Sequence, residues 1–197
     1  MRNRNALIII AKHPEKGVVK TRIRGLSDEQ RVELYIRLLN NTIEKLSSLS
    51  GVDSYIAFAP AHTKEYFTRF NVGLIPLSDG DLGMRMYEAF DKTFQRGYEK
   101  VSLVGADIPD LSGSIIINSY NQLSHHDLVY GPAKDGGYYL VGMRKLIKEV
   151  FTDVPWSSHM TLEVSMNNAK QAGYSVARIT VLSDIDTFED AKKQGLI

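Results

Sequence analysis

Lys100-Val-Ser-Leu-Val-Gly-Ala-Asp-Ile-Pro-Asp110 decides the fold. The apolar run Val101 to Val104 ends at Gly105, and the carboxylate of Asp107 follows two residues later. A buried strand that stops at an active-site edge reads this way, because open α/β sheets bind ligands outside the carboxyl ends of their strands. A carboxylate there can hold Mg²⁺ against a phosphate, since Mg²⁺ prefers one or two carboxylates together with phosphate oxygens. Pro109 holds the segment out of helix, and Asp110 is expected to cap the helix that follows.

Strand and helix signals alternate on both sides of this stretch. Residues 7–11 predict a buried first strand, followed by a polar loop over 12–26. Ser27 with Gln30 forms a capping box, and Val32, Tyr35, Leu39, Ile43 and Leu46 recur at helical spacing. Strands are expected at 55–58 and 73–77, with a short helix at 64–70 between them. A helix carrying Met86, Tyr87, Phe90 and Phe94 inward precedes the strand at 101–104. Ser112 or Ser114 opens the next helix, which ends near Leu123. Strands at 128–130 and 138–141 flank Asp135-Gly-Gly137, a tight-hairpin signal. A helix is expected from Ser157 or Ser158 to Gly173, then a strand at 174–181 and a last helix capped by Thr187. Repeated strand–helix units of this kind imply an α/β fold with a mostly parallel central sheet covered on both faces, and the hairpin adds an antiparallel element.

The chain has 197 residues, 43% hydrophobic and 24% charged, which predicts a single domain over 1–197 with a full core. A net charge of +1 argues against a general nucleic-acid binder, but a local basic pocket remains compatible with it. The absence of cysteine excludes disulfides, thiolate catalysis and cysteine metal sites, and fits the cytoplasm. The apolar run at 6–11 is too short for a signal-peptide core or a membrane span.

Five segments carry candidate chemistry. In Lys12-His-Pro-Glu-Lys-Gly-Val-Val-Lys-Thr-Arg22, the cations Lys12, Lys20 and Arg22 follow the first strand, and Gly17 lets the chain bend. This is a phosphate-wrapping loop or a solvated basic one; Val19 excludes a P-loop. In Asp79-Gly-Asp-Leu-Gly-Met-Arg85, Arg85 could clamp a phosphate or stand as a surface cation behind an Asp81 cap. Asp107 is the proposed metal ligand of the third segment. In Gly131-Pro-Ala-Lys-Asp-Gly-Gly-Tyr-Tyr139, Gly136 and Gly137 let a sugar or base approach the backbone, and Asp135 could orient or deprotonate an acceptor. In Leu182-Ser-Asp-Ile-Asp-Thr187, Asp186 is a second metal ligand or part of a charged helix start. Trp156 is either core or a stacking surface. The five histidines show no zinc-site spacing.

Taken together, Lys12–Arg22, Gly80–Arg85, Gly105–Asp110, Gly131–Tyr139, Pro155-Trp-Ser157 and Asp184-Ile-Asp-Thr187 resemble the bacterial glycosyltransferase-like family of the nucleotide-diphospho-sugar transferase superfamily, in particular its arsenosugar-biosynthesis branch. Phe188 and His159 depart from that pattern, standing where proline is usual. The resemblance implies a GT-A-like, Rossmann-like three-layer sandwich. It implies Lys12, Lys20 and Arg22 on the phosphates, and Asp107 and Asp186 on a Mg²⁺ or Mn²⁺ ion.

The expected activity is therefore metal-dependent glycosyl transfer from a nucleotide-diphosphate sugar to a small-molecule acceptor. Arg85, Gly105, Gly136 and Gly137 would join the nucleotide site, and Asp135 would serve the acceptor. The alternative is nucleotidyl transfer from a nucleoside triphosphate to a small phosphorylated acceptor with release of pyrophosphate. A third possibility is nucleotide binding without turnover. Neither nucleic acid nor a membrane span is expected, and a homodimer is compatible with all three.

Overall fold

A computed structural model describes residues 4–197. In chain order the elements are β1 (Asn5–Lys12), α1 (Asp28–Leu46), β2 (Val52–Ala59), α2 (Lys64–Phe67), β3 (Gly73–Pro76), α3 (Leu82–Phe94), β4 (Lys100–Gly105), α4 (Gly113–Gln122), β5 (Leu128–Pro132), β6 (Tyr138–Met143), α5 (Thr161–Gln171), β7 (Val176–Arg178) and α6 (Phe188–Lys193).

Among the described residues, seven strands form one sheet in the order β3-β2-β1-β4-β6-β5-β7. β1, β2, β3 and β4 pair in parallel, as do β5 and β7, while β6 runs antiparallel between β4 and β5. The α/β expectation and the antiparallel hairpin both hold. β1 lies at the centre, and residues Ala6 to Ile9 are fully buried. Because side chains alternate along a strand, Leu7 and Ile9 enter one core with Leu39, Phe67, Ile116 and Tyr120. Ala6 and Ile8 enter the other with Met86, Phe90, Leu162 and Ala169. Helices α1 and α4 thus cover one face and α3 and α5 the opposite one, giving three layers. Each fully buried isoleucine or leucine contributes about 1.5–3 kcal/mol of transfer free energy.

α1 starts at the capping box read from sequence: the Ser27 hydroxyl accepts from Gln30 N and the Gln30 side chain from Ser27 N. Asp81 caps α3, and its carboxylate accepts from Met84 N at 2.8 Å.

Three expectations are corrected. Asp110 does not cap α4. The N-cap is Ser112, without a side-chain cap bond, and the Asp110 carboxylate accepts from Gln194 Nε2 at 3.3 Å. α5 begins at Thr161, because Ser157 sits at φ 60 and so outside right-handed helical geometry. Thr161 Oγ1 ties the intervening turn by donating to the Pro155 and Ser158 carbonyls. β7 spans three residues rather than eight. Beyond it the chain still follows β5 through Ile179 N to Tyr130 O and Leu182 N to Pro132 O, 2.9 and 3.1 Å. No helix of the described residues is long and apolar enough to cross a membrane.

Candidate active site

Strands β1, β4 and β5 all end at one edge of the sheet. Since β6 runs the other way, the β5–β6 turn closes at that edge as well. A cavity of about 480 Å³ opens there. Its walls come from the segment after β1, the start of α3, the segment after β4, the β5–β6 turn, residues 156–158, Asp184 and Asp186.

Helix α1 holds two of these segments in place. Tyr35 Oη accepts from Lys12 N at 2.9 Å and Arg31 Nε donates to Ile23 O at 2.9 Å, pinning both ends of the basic loop. Thr42 Oγ1 donates to Ala106 O and Lys45 Nζ to Pro109 O, fixing the stretch that carries Asp107.

Within the cavity Lys20, Asp107 and Asp186 converge. Lys20 Nζ lies 2.7 Å from Asp107 Oδ2 and 3.7 Å from Asp186 Oδ1, and also donates to the Ile185 carbonyl. The Lys20 side chain is 5% exposed, and its backbone takes the left-handed φ of 49. Non-glycine residues seldom adopt that conformation, and it concentrates at functional sites. Arg22 behaves differently: it is 61% exposed, with Nη1 3.6 Å from Asp186 Oδ2. One cation of the basic loop is therefore sequestered and another is open to solvent.

The acidic side of the cavity is larger than expected. Carboxylate oxygens of Asp135, Asp184 and Asp186 lie within 4.8 Å of one another. Asp184 is pushed up to about 6, chiefly by burial and then by the charges of Asp186, Asp135 and Asp107. Ile185 is buried at 1% between the two aspartates. Alternation along extended chain then turns both carboxylates the other way, and that Asp-Ile-Asp spacing was the available sequence signal for Asp184. Asp135 also accepts from Gly137 N at 2.8 Å, an Asx-type turn that aims its carboxylate.

Lys12, Lys20, Arg22, Arg85, Gly105, Asp107, Asp135, Gly137 and Asp186 line the cavity. Gly17 and Gly136 lie outside its lining. Gly17 occupies an exposed turn at φ 74 with nothing near its missing Cβ. Gly136, at φ 90, lies under the His159 backbone, where a Cβ would sit 2.1 Å from the carbonyl oxygen. Arg85 stands in the first turns of α3, and its buried Nε has no hydrogen-bond partner among the described residues. Trp156 is both packed and exposed to the cavity: it lies over Gly83, 2.5 Å from where a Cβ would be, and edge-on to Tyr138 with ring centroids 6.5 Å apart.

Three or four oxygen donors without nitrogen or sulfur suit a hard divalent cation. Carboxylate oxygens of Asp135, Asp184 and Asp186 already lie within 4.8 Å of one another, so the residues present fit such an ion.

Comparison with known proteins agrees with this architecture. A family profile described as "Uncharacterized protein conserved in bacteria (DUF2064)" matches residues 42–158. A crystal structure of a candidate nucleotide-diphospho-sugar transferase from Desulfovibrio desulfuricans G20 superposes with a TM-score of 0.88 at 30% identity, covering 94% of this chain and 84% of that one. A 2-phospho-L-lactate guanylyltransferase of Methanocaldococcus vulcanius is 25% identical over 188 residues, 93% of this chain and 81% of its own. The fold is shared with CMP:2-keto-3-deoxy-manno-octonic acid synthetase complexed with CTP, at a TM-score of 0.65 and 11% identity over 98% of both chains.

Proposed function

The chain belongs to the DUF2064 family and shares the fold of the nucleotide-diphospho-sugar transferase superfamily, and from that premise we propose that it is a nucleotidyltransferase. It would transfer a nucleoside monophosphate from a nucleoside triphosphate to a small phosphorylated acceptor. An acceptor phosphate oxygen attacks the α-phosphorus, the bond from that phosphorus to the bridging oxygen breaks, and pyrophosphate leaves with the electron pair. The observation that carries this reading is the meeting of Lys20 and Arg22 with Asp107 and Asp186 at the rim of one cavity. Cations and anions so arranged suit a reaction whose catalysis is mostly positioning and charge stabilisation. The guanylyltransferase likeness over 93% of this chain supports the same reading.

In this assignment Lys12, Lys20, Arg22 and Arg85 bind the phosphate chain, and Gly105 and Gly137 let it approach the backbone. Asp107, Asp184 and Asp186 would hold Mg²⁺ or Mn²⁺, which when bound neutralises charge growing on the leaving group. Asp135, at the hairpin tip, orients the acceptor. The side chains of Trp156 and Tyr138 give the acceptor's body an aromatic wall.

A second reading, glycosyl transfer from a nucleotide-diphosphate sugar, is favoured by the Desulfovibrio structure, and within it falls the arsenosugar branch. One assay separates the two. The purified protein is mixed with Mn²⁺ and either the four nucleoside triphosphates plus a panel of phosphorylated hydroxy acids and sugar phosphates, or nucleotide sugars plus acceptors. Pyrophosphate is expected from the first mixture. A nucleoside diphosphate from the second, with no pyrophosphate from the first, would establish glycosyl transfer instead.

A further inference from the structure

We propose that Lys20 is an internal counter-cation, which occupies the carboxylate site until the phosphates of a nucleotide draw it away and so makes divalent-cation binding depend on nucleotide binding. The inference rests on the metal-assisted reading above and concerns how that site fills. A lysine that only met phosphates would extend into solvent, as Arg22 does with 61% of its side chain exposed. Lys20 is instead sequestered at 5% exposure. Its ammonium is shared between two carboxylates, one from the segment after β4 and one from the segment before α6, at 2.7 and 3.7 Å, and the carbonyl of the residue between Asp184 and Asp186.

A divalent ion entering between Asp107 and Asp186 meets that ammonium. Two cations on the same carboxylate oxygens repel, and burial strengthens the repulsion. A triphosphate beside the pocket offers the ammonium acceptors of higher charge. Once Lys20 turns to them, the carboxylates are free. Nucleotide and metal then enter as a unit, and the acidic cluster is never left uncompensated.

The probe is Mn²⁺ alone, followed by loss of the free-ion electron paramagnetic resonance signal at neutral pH. Wild type is compared with Lys20→Gln, Lys20→Met and Arg22→Ala, with far-UV circular dichroism to verify folding. Both Lys20 variants are expected to bind Mn²⁺ about tenfold more tightly than wild type, a typical size for coupling between sites. They are also expected to lose affinity for a non-hydrolysable nucleoside triphosphate measured in chelator. Arg22→Ala removes a solvent-exposed cation that touches Asp186 alone, so its gain in Mn²⁺ affinity is expected to be well below that of the Lys20 variants while nucleotide binding weakens.

Equal Mn²⁺ affinity in wild type and the Lys20 variants would overturn the coupling alone. An Arg22→Ala gain as large as theirs would reduce it to general electrostatics. Absence of Mn²⁺ binding in every protein, with or without nucleotide, would remove the metal reading itself. The unaltered protein gives an independent check that needs no variant to fold: the ¹⁵N-edited signal of the Lys20 ammonium is expected to shift on nucleotide addition and to stay in place with Mg²⁺ alone. A shift with Mg²⁺ and none with nucleotide would contradict the proposal.

Discussion

Asp184 keeps its proton to about pH 6, against an ordinary value of 3.8, because burial and three neighbouring carboxylates disfavour its charge. Below pH 3.8 the folded and unfolded chains both carry the proton, and the full contribution to stability is present. As pH rises toward 6 the unfolded chain ionises while the folded chain resists, so this contribution is lost and the loss is complete above about 6. The group is partly solvated, and about 1 kcal/mol is the expected size. In chelator-containing buffer the melting temperature of wild type should therefore fall by about 2–4 °C more between pH 4 and 7 than that of Asp184→Asn. Parallel curves for the two proteins would show that Asp184 ionises normally. Single carboxylates were partly legible in the sequence. Asp107 and Asp186 stand out as acids that follow apolar runs, but the burial that chiefly raises Asp184, and the arrival of Asp135 from a turn 49 positions earlier, depend on the folded chain and leave no trace in local pattern.

Elements were read well where their start signals were local. The Ser27–Gln30 and Thr187–Asp190 boxes and the Asp81 cap stand where cap chemistry puts them. The start of α5 escaped because Ser157 is a good cap by type but sits at φ 60, and the Thr161 hydroxyl ties residues 155–158 into a turn ahead of the helix. The close approach of Gly136 to the His159 backbone makes the β5–β6 hairpin a test of element-scale coupling. Gly136→Ala combines a positive φ with a Cβ placed 2.1 Å from the His159 carbonyl oxygen, so a cost of roughly 2–4 kcal/mol is expected. Gly17→Ala has a positive φ but open space around it, and about 1 kcal/mol is expected. Urea denaturation of both variants measures the contrast; equal losses would mean that the hairpin gives way to the added methyl.

For the whole molecule, alternation of strand and helix foretold the layers but not the strand order. Which strand lies beside which is set by long-range pairing, so nothing near residues 138–143 announces that β6 separates β4 from β5. β1 is the shared wall of both cores, with Ile8 in one and Ile9 in the other, each fully buried. Truncating either to alanine should cost about 2–5 kcal/mol. We propose that the two cores unfold as one unit, so each variant should keep a single calorimetric transition with the same ratio of van't Hoff to calorimetric enthalpy as wild type. A second transition in either variant would divide the chain into independent halves.

The reversed direction of β6 also governs where the chain tolerates length. Its turn is threaded back to the cavity, locked under His159 and bonded through Gly137 to Asp135. Circular permutation or a peptide graft there would scatter the carboxylates. At the opposite rim, the exposed stretch around His125 stands outside the cavity's lining, and a foreign segment spliced in at that point is expected to leave the carboxylate cluster in place.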